Sequence, residues 1–135
     1  MTWKVWKSSR SYKGSTIPMV AIHPKRFGLN RASIDQLLKG KKRAMFFTNP
    51  ELLGIGFTFF DGEVLGSCRV ICHGSKNSKG SVYITVTKLF EEHPEILARV
   101  AQLGVNKFKV LTMLKEDVPE DFKDSDCFFV RIEKE

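Results

Sequence analysis

The chain has 135 residues, 42% of them apolar and 27% charged, with a formal charge of +7. That length is one domain with a core large enough to need no staples, and that composition excludes a disordered chain. No apolar run approaches the roughly 18 residues of a membrane span. The first residues lack the apolar stretch of a secretory signal, and three cysteines draw no disulfide framework, so the expected setting is reducing and cytoplasmic.

The charge is unevenly placed. Residues 1–50 hold eleven basic side chains and a single acid, Asp35, a local +10. Residues 51–110 hold seven basic and six acidic groups, and residues 111–135 hold four and eight. A segment of this kind sets up a field that attracts polyanions, nucleic acid first among them. A solvated basic face without a ligand is the alternative. A membrane surface fits less well, because no basic amphipathic helix with an aromatic edge is present.

In chain order, Trp3 and Val5 alternate with Lys4 and suggest an opening strand, followed by a Ser-, Gly- and Lys/Arg-rich loop over 8–16. Residues 17–22 read as a strand closed by the turn His23-Pro24-Lys25-Arg26, and 27–29 as a short extended piece. Asn30 is a good N-cap for a helix whose apolar stripe is Ala32, Ile34, Leu37 and Leu38, with Gly40 in the left-handed position that ends it. Strands follow over 43–48 and 55–60, and then over 67–73 and 81–86 on either side of a flexible tip, 74–80. Helical character starts near Thr87, and Pro94 opens a further helix with Ile96, Val100 and Leu103 on one face and Gly104 at its end. Strands over 107–114 and 127–132, joined by an acidic loop through Pro119, complete the pattern. The expectation is one α+β domain over 1–135, mostly antiparallel strands with two short helices. It comprises an N-terminal strand and basic loop (1–16) and two half-repeats (17–60 and 67–133), each in the order strand, strand, helix, strand, strand.

Within residues 17–60, a hairpin leads through Phe27-Gly28-Leu29-Asn30 into a short amphipathic helix and then two strands carrying Gly54-Ile55-Gly56-Phe57. This arrangement resembles the AbrB-type swapped-hairpin DNA-binding family, and two such units in tandem are similar to its MraZ-like members. The resemblance implies interlaced units that present basic loops to DNA. The chain carries Asn30 where that family often has Pro, and it lacks the acid–x–x–x–Arg signature of the tandem type. Whirly-type single-strand binders, also small, basic, strand-rich and duplicated, are a second resemblance.

The candidate nucleic-acid-binding residues fall into four groups. Lys4, Trp6, Lys7, Arg10, Tyr12 and Lys13, beside Trp3, mix cations that track phosphates with rings on which bases stack; packing of both tryptophans from an edge strand is the alternative. Lys39, Lys41, Lys42 and Arg43 cluster at a helix-to-strand junction and offer point charges plus an arginine fork. Lys25, Arg26 and Arg31 flank the helix start, whose free amides add to anion binding. Lys76 and Lys79 sit on the flexible tip. Phe46, Phe47, Phe57, Phe59 and Phe60 occupy two neighbouring strands, one face of which must be core and the other either a stacking platform or a second covered face; Phe128 and Phe129 are read the same way.

Catalytic patterns fail on spacing. The run 74–81 has its second glycine one place late for a phosphate loop, and Gly54-x-Gly56 lacks the third glycine of a dinucleotide turn. Cys68, Cys72, His73 and Cys127 do not have the spacing of a zinc site, and Cys68, Val70 and Cys72 read as one apolar face of a strand. Asp121-x-Lys123 has the end of a nuclease pattern without an upstream partner. The acidic stretch from Glu116 to Asp126 is either an internal nucleic-acid mimic over the basic face or a soluble connection. The sequence thus points to a non-enzymatic protein without cofactor or metal. It would bind DNA, single- or double-stranded, in a regulatory or strand-protecting role, as a homo-oligomer; a module with an acidic protein partner is the alternative.

Overall fold

A computed structural model of the chain describes residues 2–3, 17–49, 51, 53–72 and 82–133. Nine described strands form one antiparallel sheet: β1 (Met19–Ile22), β2 (Arg26–Leu29), β3 (Arg43–Asn49), β4 (Gly54–Phe60), β5 (Cys68–Cys72), β6 (Val82–Thr85), β7 (Lys107–Lys109), β8 (Leu111–Thr112) and β9 (Cys127–Arg131). The helices are α1 (Arg31–Ser33), continued by a π-helical turn over Ile34–Leu38, then α2 (Thr87–Glu92) and α3 (Pro94–Leu103). Alternation dictates the strands: Phe27 and Leu29 turn inward while Arg26 lies exposed. Pro94 opens α3, as its fixed φ and missing amide favour. Of the expected opening strand only Thr2 and Trp3 are described, and neither lies in a strand.

The sheet order is β7-β1-β2-β6-β5-β3-β4-β9-β8. Its two ends, β7 and β8, are consecutive pieces of one extended segment, 107–112, divided at Val110. The first piece pairs with β1 and the second with β9, so the sheet curls into a nearly closed barrel. The sequence suggested one unbroken strand here. Closure splits it because its two ends must serve different partners, and Val110 donates instead to Pro18 O at 3.0 Å.

The order is also symmetric under exchange of the two halves. β1–β2 corresponds to β5–β6, β3–β4 to β8–β9, and β1–β7 to β5–β3. The bond from Ile22 N to Asn106 O at 2.8 Å recurs as Val70 N to Lys42 O at 2.9 Å. The half-turn axis crosses the sheet at two self-equivalent pairs, Phe27↔Ile84 and Gly56↔Phe129. At the helix ends, Gly40 (φ 78°) and Gly104 (φ 72°) occupy equivalent left-handed positions. The two halves are interlaced: each lends its first strand to the third strand of the other.

The barrel interior is a single apolar core built around phenylalanines. Phe27 is fully buried, with its ring centroid 5.1 Å from both Phe46 and Phe57 in edge-on geometry. Phe57 also meets Phe59 at 5.5 Å and Phe128 at 5.8 Å. Helix α1 and its π turn close one end of the barrel with Ala32 and Leu38, and α2 and α3 close the other with Phe90 and Ile96. The expected regular helix over the stripe from Ala32 to Leu38 is instead α for one turn and then π. Lys39 N bonds Ile34 O at 3.1 Å, and Lys39 (φ 50°) as well as Gly40 is left-handed.

Candidate nucleic-acid interface

Inward residues fix what points outward, and the register then aligns the outward side chains across strands. Arg26 on β2 faces Thr85 on β6. Val70↔Ile84 places Arg69 on β5 next in the same row, and Arg43 on β3 pairs directly with Arg69. Four neighbouring strands therefore present Arg26, Thr85, Arg69 and Arg43 side by side. At ~4.8 Å per strand the row spans about 14 Å along the curved sheet.

The row is flanked by further cations. Lys25 lies exposed in the turn before Arg26, and Lys42, also exposed, precedes Arg43. Lys42, Arg43 and Arg69 share one open cleft with Gly40, Asp61, Gly62 and Glu63. A second cleft, of about 450 Å³, brings Arg26, His23 and Lys107 together over a floor that includes Ala21, Gly28 and Tyr83. The Arg26 guanidinium lies 4.2 Å from the centre of the Tyr83 ring, a stacking contact that orients it and covers the ring. Lys107 is the symmetry counterpart of Arg43, so cations mark both corners of this outer face.

The predicted residues divide accordingly. Lys25, Arg26, Lys42 and Arg43 are brought together on the face, with exposed Lys39 and half-buried Lys41 at its rim beyond the π turn. Arg31 is exposed and its Nε pairs with Asp35 Oδ2 at 3.2 Å. At the helix start Asn30 Oδ1 accepts from Ser33 N at 2.9 Å and from Met19 N at 3.0 Å, so the cap holds one amide of the first turn. Lys4, Trp6, Lys7, Arg10, Tyr12, Lys13, Lys76 and Lys79 lie outside the described residues. Trp3 is described and is 92% exposed, so it does not pack onto the core.

Arg69, Thr85 and Lys107 were not singled out from the sequence, since they sit in a stretch whose net charge is close to zero. The signal that finds them is alternation on β5, β6 and β7 combined with long-range register.

The other outer face is covered. Phe47, Phe60, Gly56 and Phe129 point out from β3, β4 and β9, and the acidic segment 113–126 lies across them. Phe122 sits between Phe47 (5.4 Å) and Phe60 (6.3 Å), Met113 N bonds Cys127 O at 2.9 Å, and Thr58 Oγ1 donates to Asp126 O at 2.7 Å. The second phenylalanine face is therefore packed and is not a stacking platform. Among the described residues no ion pair joins the acidic segment to the basic row. It is a packed connection; Lys115 and Lys123 hold its turn by each donating to the other's carbonyl.

Comparison of the chain with protein-family models, curated proteins and solved structures finds no match.

Three further observations bear on chemistry. Among the described residues no group of three or more His, Cys, Asp or Glu side chains is placed to hold a metal ion. All three cysteines are free; Cys68 is half-buried and Cys127 buried, while Cys72, expected on the same inner face, is exposed. Burial pushes the Cys68 thiol above its ordinary value against the opposing pull of Arg43. Burial also raises Cys127, where the Thr58 hydrogen bond lowers it and Asp126 raises it further. No described helix is long and apolar enough to cross a membrane.

Proposed function

We propose that this protein binds nucleic acid, DNA in the first instance, through the outer face carrying Arg26, Lys42, Arg43, Arg69 and Lys107, and that it does so without catalysis. The observation that carries this reading is the convergence of cations from five separate strands and turns on one face. The acids of 116–126 are gathered on the adjoining one. Such a separation steers a polyanion to one side of the molecule and supplies phosphate contacts that do not depend on base sequence. The role is regulatory or strand-protecting, in a cytoplasmic setting that fits three unpaired thiols.

Binding of labelled single- and double-stranded oligonucleotides across a salt series tests the reading. Phosphate contact predicts a log–log slope of about −0.9 per contact on duplex and about −0.7 on single strand. Absence of binding at low salt refutes it and moves the argument to an acidic protein partner for the same face.

A further inference from the structure

The barrel register sets Arg43 directly opposite Arg69 on the solvent side of the sheet. Like charges directly opposite one another destabilise a strand pair. Neither guanidinium forms an ion pair with a described carboxylate, and the two acids that border them, Asp61 and Glu63, leave the three cations Lys42, Arg43 and Arg69 in excess. Arg43 is instead fixed through its Nε, which donates to Ser67 Oγ at 2.9 Å. That bond sets the plane of its fork. Both arginines and Lys42 line an open cleft of about 620 Å³, along with two acids, Asp61 and Glu63. The Asp61 carboxylate is already engaged, accepting from the Lys42 amide at 3.2 Å. Gly40 and Gly62 contribute no side chain to the cleft, and both have space around them where a Cβ would sit.

We infer that the Arg43–Arg69 pair is a phosphate-binding site. A phosphate lodged between two opposed guanidinium groups turns a repulsive pair into two charge-assisted, hydrogen-bonded ones, and the arginine fork matches two phosphate oxygens at once. Lys42 adds a point charge, and Thr85 and Arg26 extend the same row, so a chain of phosphates fits better than one isolated group. The inference rests on the proposed nucleic-acid reading for the source of the phosphate. A small phosphorylated molecule offers the same chemistry.

Two measurements on the wild type, R69Q and K115Q separate the possibilities. Arg69 is exposed, so its replacement leaves the fold intact, and Lys115 is exposed on the acidic segment that covers the other face. In the first, oligonucleotide affinity is read against salt. R69Q is expected to lower the slope by about 0.7 to 0.9, the loss of one contact, with K115Q unchanged. A slope equal to wild type in R69Q overturns the site while leaving nucleic-acid binding by the rest of the face standing. In the second, melting temperature is read against inorganic phosphate, with chloride at matched ionic strength. A saturable rise in wild type that R69Q lacks supports the site even if no oligonucleotide binds, and then assigns it to a small phosphorylated ligand. No oligonucleotide binding together with no phosphate-dependent rise overturns it.

Discussion

Replacing Gly56 with alanine tests the packing of the acidic segment over the second face of the sheet. A Cβ built at Gly56 stands 2.9 Å from Met113 Cε and 3.2 Å from both Phe47 Cβ and Cδ2. The methyl end of Met113 swings aside at little cost, but Phe47 Cβ is fixed to β3 directly across the pair Phe47↔Gly56. Overpacking a filled site costs about 1–3 kcal/mol. With part of the clash relieved by Met113, the expected loss is about 1–2 kcal/mol, a fall in melting temperature of several degrees for a domain of this size. Thermal or urea unfolding of G56A, M113A and the double variant gives the coupling between the two positions. The double variant should be more stable than the sum of the single losses predicts, by about 0.5 kcal/mol or more. Unchanged stability in G56A, or strict additivity with M113A, refutes the claim that Met113 and Phe47 close over this strand.

Other consequences follow from the same geometry. Phe27→Ala removes a fully buried ring and two edge-on contacts at 5.1 Å, and should cost about 3–5 kcal/mol in urea unfolding; a loss under 1 kcal/mol would place the core elsewhere. Asn30→Ala deletes a cap that accepts from Ser33 and Met19 and donates to Ile17 O; about 1–2 kcal/mol is expected, with Ser recovering part of it. Replacing Arg69 with Thr should raise the melting temperature of the ligand-free protein by a few degrees at low salt, through relief of the facing charge, and the gain should shrink as salt screens it. A thiol reagent should find Cys72 first, with a fast phase that Cys72→Ser abolishes, since Cys127 is buried and Cys68 half-buried. Because the folded-state pKa values of Cys68 and Cys127 are raised, their contribution to stability is full below the ordinary thiol range. It is lost as pH rises through the raised values, so unfolding followed above about pH 9 should show stability falling with pH.

Local chemistry made much of the fold legible. Asn30, Pro94 and Gly104 mark their helix ends by capping and φ preferences that act within a turn, and strand alternation separates Phe57 and Phe59 from Thr58 and Phe60. The strand–strand–helix–strand–strand repeat was readable for the same reason. Non-local facts were not legible. That β1 pairs with β7 while β5 pairs with β3 depends on register across distant segments, as does the break at Val110. Arg69 was hidden because a near-neutral stretch was judged by its sum, whereas β5 sends Arg69 outward to meet Arg43. The pairing of Arg31 with Asp35 was legible, since opposite charges four places apart meet along a helix. The covering of Phe47 and Phe60 by Phe122 joins residues that no periodicity relates.

The central claim is that one cationic face of the barrel holds nucleic acid. The most direct test is the affinity of a labelled oligonucleotide, at low salt, for a variant with Lys41, Lys42 and Arg43 all changed to Glu, whose folding is verified by its melting transition. The account predicts that binding falls at least tenfold and that the salt dependence flattens by roughly two to three contacts. Wild-type affinity in the charge-reversed protein would contradict it.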